Sequence, residues 1–127
     1  MSPRLGHLSE MSLYVDDLGA ATTFYQRLFG FDILLEDDRM VGLQLPGSAV
    51  LLLHGRGGHA PKHEDAGAHH VCLPVSESSI NDWERHLMLN GVAVEGRVTQ
   101  ANGSVSLYFR DLDGHSLELA TPEPLEN

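Results

Sequence analysis

The chain has 127 residues, 42% of them hydrophobic and 20% charged, the balance of one ordinary globular domain that holds a core without disulfides or a structural metal. Eight Lys and Arg against eighteen Asp and Glu leave a formal net charge of −10, which repels phosphate backbones and anionic lipid and argues against nucleic acid or a membrane surface as partners. A single cysteine, Cys72, cannot form an internal disulfide, and with no apolar run of ~18 residues or signal-like N-terminus a cytoplasmic protein is the simplest reading.

The first strand is expected at Glu10–Val15, with Met11, Leu13 and Val15 on one face. Asp17 is a plausible helix N-cap, Ala20, Phe24 and Leu28 recur at helical spacing, and Gly30 suits the left-handed position that ends a helix. Val41–Leu45 and Val50–Leu53 read as two further strands joined by the turn Pro46-Gly47-Ser48. Residues 55–67 form a Gly- and Pro-containing loop with His59 and His63, for which a solvated or lid role is the expectation. Five of the eight histidines (54, 59, 63, 69 and 70) fall within this stretch and its borders. The pattern then repeats. His70–Val75 matches Glu10–Val15; a second helix uses Ser78 or Ser79 as cap, Ile80, Trp83 and Leu87 as its buried stripe, and Gly91 as its stop. Val105–Phe109 matches Val41–Leu45 at an offset of 64 residues (105 − 41), Ser116–Leu119 matches Val50–Leu53 at 66 (116 − 50), and the turn between them is Asp111–Gly114. The expected fold is α+β: one domain over 1–127 made of two βαβββ units, about 8–54 and about 68–121, forming a curved mixed sheet with a cup inside.

The strand faces opposite the apolar stripes carry Glu10, Ser12 and Tyr14; Gly42 and Gln44; Leu52 and His54; His70 and Cys72; Ser106, Tyr108 and Arg110; and Ser116 and Glu118. Glu10 and His70 occupy equivalent places in the repeat, as do Leu52 and Glu118. A pseudo-twofold axis would bring those four positions together, giving three metal ligands (Glu10, His70, Glu118) and one apolar corner. Two carboxylates and an imidazole suit a divalent cation with room left for water or substrate. His69 is the rival to His70 if the register is off by one. His54 is a secondary ligand or substrate contact, and Tyr14, Gln44 and Arg110 are candidate substrate contacts, with an ion pair to a surface Asp the competing role for Arg110. Cys72 reads as a small core residue.

The segments LYVDDL (13–18), FY (24–25), LFGF (28–31) and LYFRDLDGHSLEL (107–119) resemble the vicinal oxygen chelate superfamily of glyoxalase I, bleomycin- and fosfomycin-resistance proteins and extradiol dioxygenases. The usual Asp-Pro-Asp-Gly-Asn of the last turn is changed here at Leu112 and His115. The resemblance implies metal ligation by Glu10, His70 and Glu118, with His the more usual first ligand and a Glu or Gln more usual at Leu52 in four-ligand members. It implies a substrate-contacting or proton-moving role for Tyr108, ten residues before Glu118, with Glu118 also able to move a proton. It further implies a homodimer whose site-forming units come from one chain or two. The leading expectation is a divalent-metal-dependent lyase, isomerase or transferase of the glyoxalase and fosfomycin-resistance kind, using Zn, Ni, Mn, Mg or Fe(II) to chelate two neighbouring oxygens of a small substrate. The alternatives are an extradiol ring-cleaving dioxygenase and a non-catalytic drug-binding protein.

Overall fold

A computed structural model describes residues 3–56 and 69–122. The chain divides into two compact units, Met1–Ala66 and Gly67–Asn127. The first holds β1 (Glu10–Val15), α1 (Leu18–Phe29), β2 (Ile33–Glu36), β3 (Met40–Gln44) and β4 (Val50–Gly55); the second holds β5 (His70–Pro74), α2 (Ile80–Leu89), β6 (Gly96–Thr99), β7 (Val105–Arg110) and β8 (Ser116–Ala120). Each is a four-stranded mixed sheet, ordered β1-β4-β3-β2 and β5-β8-β7-β6. The first and last strands of a unit run parallel, and its other pairs are antiparallel. His59 and His63 lie outside the described residues.

Period-2 alternation decides what each strand buries. Leu13, Val15, Leu43, Leu51 and Leu53 are at most 3% exposed, as are Leu107, Phe109, Leu117 and Leu119, each such side chain contributing about 1.5–3 kcal/mol by leaving water. Helix α1 starts where Asp17 Oδ1 accepts the amide of Ala20 at 3.0 Å and ends at Gly30, whose φ of 73° is open to glycine at little steric cost. Its buried residues are Ala21, Thr22, Tyr25 and Leu28. The expected stripe of Ala20, Phe24 and Leu28 is therefore rotated by about one residue, with Ala20 and Phe24 half-buried. Helix α2 buries Ile80 and Leu87 and is entered through a 3₁₀ turn, Glu77–Ser79. Ser79 stands at the cap position, but its hydroxyl donates back to the Ser76 carbonyl at 2.8 Å and caps nothing.

The strand registers correct one repeat offset. Val41 pairs with Leu53 and Leu107 pairs with Leu119, so β3 and β7 correspond at 66 residues (107 − 41), the same as β4 and β8 (119 − 53), and not at 64. The extra length sits in the second hairpin, where Arg97 pairs with Leu107 while Glu36 pairs with Val41 in the first. The error is an even number, so no side chain changes face.

Candidate functional site

The second unit brings two of the expected ligands together. Cys72 and Glu118 are cross-strand partners in the parallel β5–β8 pair, and Tyr108 and Glu118 in the antiparallel β7–β8 pair. His70 and Glu118, on neighbouring strands with Cβ atoms on one face, meet with Nε2 3.0 Å from Oε1. The imidazole is half exposed, while the carboxylate is 15% exposed.

Both groups are held from behind. Ser116 Oγ lies 3.0 Å from Nδ1 of His70, and Ser106 Oγ donates to Oε2 of Glu118 at 2.7 Å. Burial pushes the Glu118 carboxyl up, but hydrogen bonds from Ser106, His70 and Tyr108, together with the field of His70, outweigh it and hold the group below its ordinary value. An ionised carboxylate beside an imidazole, each backed by a serine hydroxyl, could offer two ligands to a divalent ion.

The other expected residues divide between the two units. His70, and not its neighbour His69, faces Glu118; the His69 ring stacks on His115 with centroids 5.7 Å apart. Glu10 is exposed at the start of β1 in the first unit, opposite Val50. Among the described residues no three His, Cys, Asp or Glu side chains form a ready ligand group. His54 stacks on Tyr14 at 5.1 Å, with Nε2 3.2 Å from Ser12 Oγ, and Tyr14 is only 4% exposed. The Gln44 amide donates to the carbonyls of Leu45, Gly47 and Ala49, a structural task within its own hairpin turn. Arg110 forms an ion pair, though with Glu95 at 3.2 Å and not with an Asp, and donates to the Gly114 carbonyl. Tyr108 adjoins the His70 ring, centroids 6.5 Å apart.

Cys72 is a correction. It is exposed, not a core residue, because β5 shows alternate side chains to solvent and Cys72 shares the parity of His70. Desolvation by its neighbours, then the charge of Glu118 and a hydrogen bond to it, push the thiol above its ordinary value. The sequence reading gave no role to Ser106 and Ser116. Their signal was the strand parity, which had already placed them beside Glu118 and His70.

Comparison with known proteins gives the family and the fold. The family model described as Glyoxalase/Bleomycin resistance protein/Dioxygenase superfamily matches residues 4–119. A metallothiol transferase FosB of Staphylococcus haemolyticus is 30% identical over 116 residues, which cover 90% of this chain and 82% of that protein. A biphenyl-2,3-diol 1,2-dioxygenase of Rhodococcus globerulus is 30% identical over 132 residues, covering 97% and 68% of the two chains. The crystal structure of a lactoylglutathione lyase from Agrobacterium tumefaciens superimposes with a TM-score of 0.85 at 27% identity, covering 95% of this chain and 97% of that one.

Proposed function

Because the chain belongs to the Glyoxalase/Bleomycin resistance protein/Dioxygenase superfamily, we propose that it is a divalent-metal-dependent enzyme of the transferase or lyase kind, with His70 and Glu118 as metal ligands. The observation that carries the reading is the His70–Glu118 pair with its two serine supports. Glu10, on the first unit of this chain or of a second copy, is the proposed third ligand. Similarity to a metallothiol transferase favours transfer of a thiol to a small electrophile with two neighbouring oxygens.

The bound ion would supply Lewis acidity, polarising a substrate oxygen and stabilising the negative charge that develops on it. The chain's own residues do the rest. His70 would hold the ion through Nε2 in the tautomer that carries its proton on Nδ1, whose N–H then donates to the Ser116 hydroxyl. Ser106 fixes the oxygen of Glu118 that faces away from His70. Tyr108, hydrogen-bonded to Glu118, is placed to pass a proton to or from a group held beside the carboxylate. Two carboxylates in the ligand set suit hard or borderline ions, Mn, Mg, Zn or Ni, better than the two-His-one-carboxylate iron site of ring cleavage.

The test is chelator-stripped protein reconstituted with each ion and offered a thiol with an epoxide, a hemithioacetal, or, anaerobically with Fe(II) and then oxygen, a catechol. Metal-dependent turnover of the first or second, lost in His70→Ala and Glu118→Ala, is expected. Catechol cleavage alone replaces this reading with a dioxygenase, and metal-free binding of an aromatic or cationic drug without turnover replaces it with a sequestering protein.

A further inference from the structure

We infer that His115 is a positioning residue for His70, acting through the backbone of His69. His115 is fully buried and tied by hydrogen bonds to Asp111 and His69. Its amide donates to Asp111 Oδ1 at 2.9 Å, its carbonyl accepts from the Asp111 amide at 3.1 Å, and its Nδ1 accepts from the His69 amide at 3.0 Å. The Ser116 amide donates to the His69 carbonyl at 2.8 Å. Consecutive residues 115 and 116 thus clamp both backbone groups of His69, and the two rings lie nearly parallel, 17° apart.

His69 is the first described residue of its unit and immediately precedes β5. The clamp therefore sets where β5 begins and how His70 leaves it. The same Ser116 whose amide holds His69 places its hydroxyl on His70 Nδ1. A rigid turn around Asp111, a buried imidazole on that turn, the backbone of His69 and the His70 ring form one mechanically continuous path. An Nδ1 that accepts must be unprotonated, so the His115 imidazole keeps its proton on Nε2. An apolar replacement would remove the acceptor of the part-buried hydrogen bond from the His69 amide and so release the start of the strand. An asparagine puts an amide oxygen close to where Nδ1 stands and satisfies the same donor.

The experiment compares His115→Leu and His115→Asn in the full chain. It reads the His70 ring-nitrogen shifts by long-range ¹⁵N NMR without metal, and Mn(II) affinity by the EPR signal of free Mn(II). In His115→Leu the two nitrogen shifts should move toward the average of the tautomers and the Mn(II) Kd should rise about 10- to 100-fold; His115→Asn should keep both near the parent values. Asp17→Ala, which weakens a helix cap elsewhere, is the control for lost stability alone and should leave the His70 shifts unmoved. Parent-like His70 shifts in a folded His115→Leu protein overturn the inference, as does failure of His115→Asn to retain them. If His115→Leu does not fold, the asparagine variant decides. The affinity measurement rests on the metal reading given above, whereas the tautomer measurement does not. A parent protein that binds no Mn(II) would count against that reading and leave His115 to be judged by NMR.

Discussion

Ser116 Oγ and Nδ1 of His70 are 3.0 Å apart, and the opposite nitrogen of the same ring lies 3.0 Å from Glu118 Oε1. Nε2 donates to a carboxylate that can only accept, while the serine hydroxyl serves Nδ1 as donor or acceptor. Ser116→Ala should leave the fold intact and, by removing the acceptor for a proton on Nδ1 in the ion-bound tautomer, weaken divalent-ion binding about 10- to 100-fold. Isothermal titration with Mn(II), with a melting curve as control, checks this; unchanged affinity would show that the serine is incidental.

Glu118 makes stability depend on acid in a defined direction. Its folded-state carboxyl titrates below the ordinary value, so its contribution is complete above the unfolded value and disappears as pH falls through the folded one. In the presence of chelator the melting temperature of the parent should fall across that acidic window. Glu118→Gln should start lower at neutral pH and lose less, the two curves converging at the acid end. Parallel curves from pH 7 downward would contradict this.

The two helix starts should respond unequally to the same kind of change. Asp17→Ala removes a cap bond to the Ala20 amide and should cost about 1 kcal/mol. Ser79→Ala removes only a hydroxyl that points back to Ser76 and should stay within about 0.5 kcal/mol of the parent. Urea denaturation of both variants measures the difference.

Gly42 and Gly96 form a second contrasting pair. A methyl group on Gly42 would come within 3.0 Å of Leu35 Cγ and 3.3 Å of Leu52 Cδ2, whereas on Gly96 its nearest neighbour among the described residues would be Tyr108 Cδ2 at 3.9 Å. Gly42→Ala should be destabilising, by about 1 kcal/mol because the leucines can partly yield. Gly96→Ala should be neutral or slightly stabilising, since it removes backbone freedom from the unfolded chain.

A homodimer is expected in solution. Among the described residues β1, β2, β5 and β6 are edge strands, and β2 exposes Ile33, Leu34 and Leu35 in succession, an edge that natural proteins ordinarily cover. Light scattering at micromolar concentration should give twice the 13.9 kDa chain mass; a monomer would count against it.

The sequence was most readable where a single physical rule decides the outcome. Period-2 alternation placed Glu118, Tyr108, Ser106 and Ser116 on one face, and the misjudged β3–β7 offset did no harm to that assignment because the slip was even. Alternation alone could not show which side chains were already engaged. Gln44 is turned into its own hairpin and Arg110 toward Glu95 by contacts that depend on turn geometry. Cys72 was misread because small residues are commonly core residues, although its parity with His70 already pointed outward. The α1 stripe was misjudged by one position because several neighbouring residues, Ala20 to Tyr25, are compatible with burial and only packing chooses among them.

Leu35 and Leu52 close over Gly42 at the register position where the second unit sets Tyr108 across from Glu118. The halves therefore share a backbone but not an inventory, since one last strand carries an anchoring carboxylate and its counterpart carries a hydrocarbon. On the proposed reading, ion stoichiometry follows chains and not repeats. A titration should saturate at one equivalent per chain, two per dimer, with no weaker second class of sites left by the duplicated half.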